Sequence, residues 1–169
     1  NAFEGIVIID EAYIDFAEAQ SLIPLIEKYN NLIVAQTFSK AWGLAAIRVG
    51  VAYASPEIIT FYNKVKPPYN ISKLNQEAVV LAIDNQETYQ ENLSAILFEK
   101  RRLEVLLNQV DLIKKVHPSM ANFFLIEVDN ADELYNALID QQIITRNRNK
   151  QIKNCLRITI GSPEENQEL

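Results

Sequence analysis

The chain has a single cysteine, Cys155, among 169 residues. An internal disulfide and a cysteine-type metal cluster are therefore excluded, no metal site is expected, and a reducing, cytoplasmic compartment is. No stretch approaches the roughly 20 consecutive apolar residues that a membrane-crossing helix needs. Positive charge is in deficit: 16 Lys and Arg stand against 22 Asp and Glu, a formal net charge of −6. That balance argues against a nucleic-acid binder, which presents a basic field. Internal repeats and low-complexity tracts are lacking. The one histidine, His117, precedes Pro118 and reads as a surface loop residue with no catalytic role. What the chain does have is apolar bulk. Hydrophobic residues make up 49%, enough for a core and too many for a disordered segment.

The pattern of that bulk alternates between strand and helix. Ile6–Ile9 is a β-branched run that predicts a buried parallel strand. Leu22, Ile23, Leu25 and Ile26 predict a short amphipathic helix over Ser21–Tyr29, with Pro24 in its first turn. Strands follow at Asn31–Gln36 and Val49–Ala54, making a βαβ unit of an α/β sheet. A helix is expected over Pro56–Val65, stopped by Pro67-Pro68. The longest helical region runs from Gln76 to about Val110 and softens at Asp84-Asn85-Gln86. Beyond it come a strand (Phe123–Val128), a helix (Ala131–Gln141), a short strand near Ile143-Ile144 and a strand over Leu156–Ile160, an α+β module. Lys100-Arg101-Arg102 reads as a solvated helix face, and Cys155 as a small buried filler. The chain starts on Asn1 without methionine and ends in Glu164–Leu169, the opening of a helix, so a segment of a longer chain is expected.

Two motifs carry chemistry. In Thr37-Phe-Ser-Lys-Ala-Trp-Gly-Leu-Ala45, Lys40 follows two hydroxyl residues, and Arg48 lies eight positions after the lysine. Upstream, Ile8-Ile-Asp-Glu-Ala-Tyr13 ends a strand on an acid, with a tyrosine three residues on. Further along stand Val65-Lys-Pro-Pro-Tyr-Asn70, Ser119-Met-Ala-Asn-Phe123 and Cys155-Leu-Arg-Ile-Thr-Ile-Gly-Ser-Pro-Glu-Glu-Asn166. Together these resemble fold-type I aminotransferases dependent on pyridoxal 5′-phosphate (PLP), and within them the histidinol-phosphate aminotransferases, over nearly the whole chain.

That resemblance implies an α/β fold of the PLP-dependent transferase type. Residues 1–72 would be the end of a large parallel-sheet domain, 73–110 a linking helical region, and 111–169 a small α+β C-terminal domain. It implies transamination between histidinol phosphate and 2-oxoglutarate in a cytoplasmic homodimer, with no nucleic-acid or membrane partner. Lys40 is the implied catalytic residue, its amine bonding the cofactor aldehyde and later moving a proton. Asp10, at a strand's carboxyl end, would keep the pyridine nitrogen protonated. Tyr13 would donate to the cofactor phenolate oxygen. Ser39 and Arg48, with Thr37 as a lesser contributor, would hold the phosphate, where a planar guanidinium fork matches its oxygens. Arg157 would clamp the substrate carboxyl group. Arg146 matches an arginine near the substrate phosphate, with Arg148 as the alternative, and Asn122 would contact substrate. Trp42 stands where phenylalanine is common, and Ala46 where glycine is common. The same scaffold serves aromatic aminotransferases, threonine-phosphate decarboxylases and non-catalytic ligand-sensing domains. The family's N-terminal half, absent here, supplies further cofactor contacts, so this segment alone is expected to be inactive.

Overall fold

The computed structural model describes residues 3–169. β1 (Val7–Asp10) and β2 (Leu32–Thr37) pair in parallel, with Ile8 opposite Ile33 and Asp10 opposite Ala35. Both are rich in β-branched residues, whose stiff side chains favour extended backbone. Their connection holds a 3-10 helix, Ile23–Glu27, in place of the expected α-helix over Ser21–Tyr29. Pro24 occupies its first turn, the amides close onto carbonyls three residues back (Leu25 on Leu22, Lys28 on Leu25), and none of its residues is buried. Without an apolar face to bury, little packing favours a longer helix. β3 (Gly50–Ala54) runs antiparallel to β2, with Thr37 opposite Gly50, and the sheet order is β1-β2-β3. The expectation of a β1 covered on both faces is corrected: Ile8 is 66% exposed, because along β1 exposed and half-buried residues alternate and the face bearing Ile8 and Asp10 is left uncovered.

Helix α1 (Pro56–Val65) starts where Ser55 accepts the Ile58 amide and Pro56 fills the first turn, and it ends before Pro67-Pro68 as expected. The long helical region is two helices, α2 (Lys73–Asp84) and α3 (Gln86–Leu107), parted at Asn85. The chain forms two compact units, Asn1–Gln90 and Glu91–Leu169.

In the second unit β4 (Ile113–Val116), β5 (Phe123–Val128), β6 (Arg146–Asn147) and β7 (Cys155–Thr159) form an antiparallel sheet in the order β4-β5-β7-β6. Period-two alternation along β5 sends Phe124, Ile126 and Val128 into a core with Leu156 and Ile158 of β7 and Leu103 and Leu107 of α3. Helix α4 (Ala131–Asp140) is capped by Asn130. It closes with the Ile143 amide on the Leu138 carbonyl and the Gln142 amide on that of Ile139, with Gln142 at φ 65°. That helix-ending motif occupies the Ile143-Ile144 stretch, so the short strand expected there forms later, at Arg146–Asn147. β4 escaped the sequence reading because Lys114-Lys115 interrupt its apolar pattern. The short helix α5 (Pro163–Glu168) opens on a reciprocal capping box between Ser162 and Glu165.

Two further expectations are corrected. Arg102 is no solvated end of a basic face: it grips the carboxylate of Glu99, itself only 3% exposed, at 2.8–3.2 Å. Asn166 donates to the same carboxylate at 2.8 Å. His117 is half-buried, and its Nε2 is enclosed without a hydrogen-bond partner. Cys155 is buried, as expected. Among the described residues no helix is long and apolar enough to cross a membrane, and no cluster of His, Cys, Asp and Glu suits a metal ion.

Candidate active site

In the first unit the carboxyl ends of β1 and β2 open onto one cavity of about 430 Å³. Asp10, Thr37, Ser39, Lys40 and Arg48 line it, together with Ile8, Ala12, Ala35 and Gln36. Parallel pairing explains the meeting of Asp10 and Thr37. Asp10 is level with Ala35, so the carboxyl ends of β1 and β2 finish on the same side, where the chain leaves the sheet. Asp10 is exposed, and one of its oxygens accepts the Ala12 amide at 2.9 Å. The Thr37 hydroxyl donates to Ser39 Oγ at 3.0 Å and accepts the Ser39 amide at 3.1 Å. The two hydroxyls are thus ordered side by side. The Lys40 amine lies 5.2 Å from the centre of the Tyr13 ring, within the range at which an aromatic face attracts a cation.

Arg48 has left-handed backbone, φ 57° and ψ 43°. A non-glycine residue rarely adopts this conformation. It turns the chain from the Ala45–Ile47 3-10 helix towards β3, and the exposed guanidinium donates to the Ala45 carbonyl at 3.0 Å. Gly43, at φ 70°, makes the other left-handed turn of this loop.

Glu11 is only 6% exposed. Its carboxylate accepts from the Ser21 hydroxyl (2.7 Å), the Leu22 amide (2.7 Å) and the Gln36 side-chain amide (2.9 Å). Burial pushes its pKa up, but these three donors outweigh it and hold the carboxyl below its ordinary value. Glu11 thereby pins the end of β1 to β2 and to the crossover.

The second unit gathers the other candidates on its sheet. Arg146 of β6 and Arg157 of β7 are directly opposite each other, and Leu125 of β5 is level with Arg157. The Arg157 guanidinium lies 4.9 Å from the centre of the Phe123 ring, and its Nε is buried without a hydrogen-bond partner. Two guanidinium groups on neighbouring strands repel, and a buried donor without an acceptor carries a further cost. An anion would relieve both. Asn122 is half-buried, its carbonyl accepting the Ile160 amide at 3.0 Å. Arg148, the alternative to Arg146, follows β6 and is half-buried, with its amide on the Cys155 carbonyl.

A family model for class I and II aminotransferases matches residues 1–169. The chain belongs to that family. Among curated aminotransferases, a histidinol-phosphate aminotransferase of Parabacteroides distasonis is 47% identical over 169 residues, covering 99% of this chain and 49% of that protein. The chain spans about half the length of the curated relatives it matches. Among solved structures, the histidinol-phosphate aminotransferase of Clostridium acetobutylicum superposes with a TM-score of 0.88 at 26% identity, over 96% of this chain and 51% of that one. A decarboxylase of Sulfurospirillum multivorans superposes at 0.85 with 27% identity, over 96% and 50%. The α/β architecture expected from the sequence is that of these aminotransferase relatives.

For an aminotransferase, the first unit's cavity offers an amine, a carboxylate, two hydroxyls and a guanidinium around one space. The sequence reading missed Glu11 and Gln36, whose hydrogen bond ties the end of β1 to β2 beside the cavity. Glu11 sits inside the motif beside Asp10, but nothing in one-dimensional spacing says that its neighbour's carboxylate turns inward. It also missed Tyr89, whose hydroxyl reaches Asp15, 74 residues away.

Proposed function

We propose that, within its full-length protein, this segment carries the lysine and most anion contacts of a PLP-dependent histidinol-phosphate aminotransferase. The reaction would convert histidinol phosphate and 2-oxoglutarate to imidazole acetol phosphate and glutamate. The observation that supports this most directly is the single cavity lined by Asp10, Thr37, Ser39, Lys40 and Arg48. Its donor set fits the cofactor. The carboxylate of Asp10 suits a protonated ring nitrogen, the hydroxyls and Arg48 suit a phosphate, and Lys40 is the amine between them in the motif.

Pyridoxal phosphate, when bound, supplies an aldehyde that exchanges with amines and a ring that takes up the electrons released at the substrate Cα. Lys40 anchors the cofactor through its amine. With its amine free, Lys40 would hold and move the proton at the substrate Cα. Asp10 favours protonation of the ring nitrogen by Coulomb attraction. Tyr13 would donate to the phenolate oxygen, and Thr37, Ser39 and Arg48 would hold the phosphate end. Arg157 would take a 2-oxoglutarate carboxyl group as a bidentate fork, Arg146 the histidinol phosphate anion, and Asn122 would contact substrate. The enclosed Arg157 Nε supports an anion at that position. A homodimer in a reducing cytoplasm, with small-molecule substrates alone, completes the reading. The buried, unpaired Cys155 is compatible with that compartment.

Lys40→Ala in the full-length protein is expected to abolish turnover, and borohydride reduction of the holoenzyme is expected to label Lys40. Retained turnover, or label on another side chain, rejects the reading. The Sulfurospirillum decarboxylase likeness favours one rival, release of the substrate carboxyl group as carbon dioxide. Parallel assays for glutamate and for carbon dioxide, with histidinol phosphate and threonine phosphate as substrates, separate the two.

A further inference from the structure

The residues flanking Lys40 are tied to the turn that carries Tyr13 by contacts that the proposed chemistry does not use. Trp42, two residues after the lysine, stacks on Tyr89 with ring centres 4.0 Å apart and planes 14° apart. Phe38, two residues before the lysine, packs on Trp42 at 5.6 Å with a 57° tilt. The Tyr89 hydroxyl donates to Asp15 Oδ1 at 2.6 Å. Asp15 belongs to the 3-10 helix Ile14–Phe16, which begins directly after Tyr13, and the Tyr13 ring lies under the Lys40 amine. These contacts close a circuit: Lys40 to Tyr13, along the chain to Asp15, across to Tyr89, onto Trp42, and back through two residues to Lys40.

The loop's internal bonds cannot do this alone. The Leu44 amide bonds to the Phe38 carbonyl and the Gly43 amide to that of Lys40, both at 2.9 Å. They set the shape of the loop but not its orientation against the Tyr13 turn. A lysine side chain has much rotamer freedom to lose, so the direction from which its stem leaves the loop decides where the amine spends its time. Burial, and then the Asp15 acceptor and its charge, push the Tyr89 phenol pKa well above its ordinary range. The hydroxyl therefore remains a donor at any working pH.

We propose that Tyr89 is a positioning residue: by stacking on Trp42 and donating to Asp15, it holds the Lys40 loop and the Tyr13 turn in the register at which the lysine amine meets the cofactor. The proposal rests on the function proposed above for Lys40 and Tyr13.

The test uses the full-length holoenzyme with Tyr89→Phe, which keeps the ring and loses the hydroxyl, and Tyr89→Leu, which loses both. Tyr89→Phe is expected to lower kcat about ten-fold with KM for both substrates nearly unchanged, the pattern of lost orientation. Amide deuterium uptake in peptides spanning residues 38–48 and 13–16 is expected to speed up about ten-fold, the effect of one lost hydrogen bond. Tyr89→Leu is expected to exceed Tyr89→Phe in both readouts. Unchanged uptake in these segments in both variants overturns the proposal, and so does a kcat loss without a local change in uptake. Lys40→Ala, measured alongside, keeps the two questions apart. Its retained turnover would reject the function, while deuterium uptake still decides whether Tyr89 ties the two segments.

Discussion

Arg48 combines two roles that a pair of substitutions can separate. Its backbone is left-handed and its side chain reaches the cavity. Arg48→Ala removes the guanidinium and keeps the backbone strain. Arg48→Gly removes both, since glycine adopts this conformation freely. Both variants are expected to weaken PLP binding alike in spectrophotometric titration, with the glycine variant more stable than the alanine variant by about 1 kcal/mol in urea melts. Arg157 has a similar tension with Arg146 opposite it. Arg157→Gln is expected to raise stability by a few tenths of a kcal/mol, the size of a cross-strand pair effect, and to raise KM for 2-oxoglutarate by about ten-fold or more. A thermal melt without phosphate or substrate and steady-state kinetics measure the two sides. A Tm that falls together with the affinity would mean that Arg157 is a structural ion.

Individual elements depend on polar anchors as much as on apolar faces. Glu11 joins the end of β1 to the crossover and to Gln36 of β2. Its folded pKa lies below the ordinary glutamate value of 4.5. Its contribution is therefore complete above about pH 4.5 and is lost as pH falls through the folded pKa. Glu99 behaves alike, its carboxyl held low by the Arg102 guanidinium and then by Asn166. Urea midpoints are expected to be flat above pH 5 and to drop below pH 4.5. Glu11→Gln should make that drop shallower and cost about 1–3 kcal/mol at pH 7, as expected for hydrogen bonds to a charged group. An unchanged acid limb in this variant would show that Glu11 contributes no linkage. At this scale the sequence was legible where one pattern dominated. β2, β3, α1, α4, β5 and the break at Asn85 follow from apolar periodicity and from Ser, Pro and Asn punctuation. The Ile23–Glu27 helix and β4 did not, because each has an apolar signal too short to choose a period.

The two units differ in how they enclose their apolar residues. The second unit buries Phe124, Ile126, Val128, Leu156 and Ile158 in a contiguous core. Leu156→Ala there is expected to cost about 2–5 kcal/mol. A chain of residues 91–169 is expected to melt cooperatively on its own by circular dichroism. The first unit leaves Ile8, Phe61, Val65, Tyr69, Leu74 and Leu81 largely exposed. Apolar surface of this extent marks an interaction face or an association hazard, and β1 offers an unpaired edge. The isolated 169-residue chain is accordingly expected to self-associate in size-exclusion chromatography and to show no transaminase turnover. A monomeric, active chain would contradict this.

The sequence by itself determined the strand-ending acid, the hydroxyl–hydroxyl–lysine run, the arginine after it and most of the elements, since these depend on side-chain chemistry and local period. Tertiary structure alone decided that Asp10, Ser39, Lys40 and Arg48 share one cavity, that Arg146 stands opposite Arg157, and that Glu11 and Tyr89 serve as anchors. Strand register and burial bring together groups far apart along the chain, and neither is encoded in the spacing of neighbouring residues.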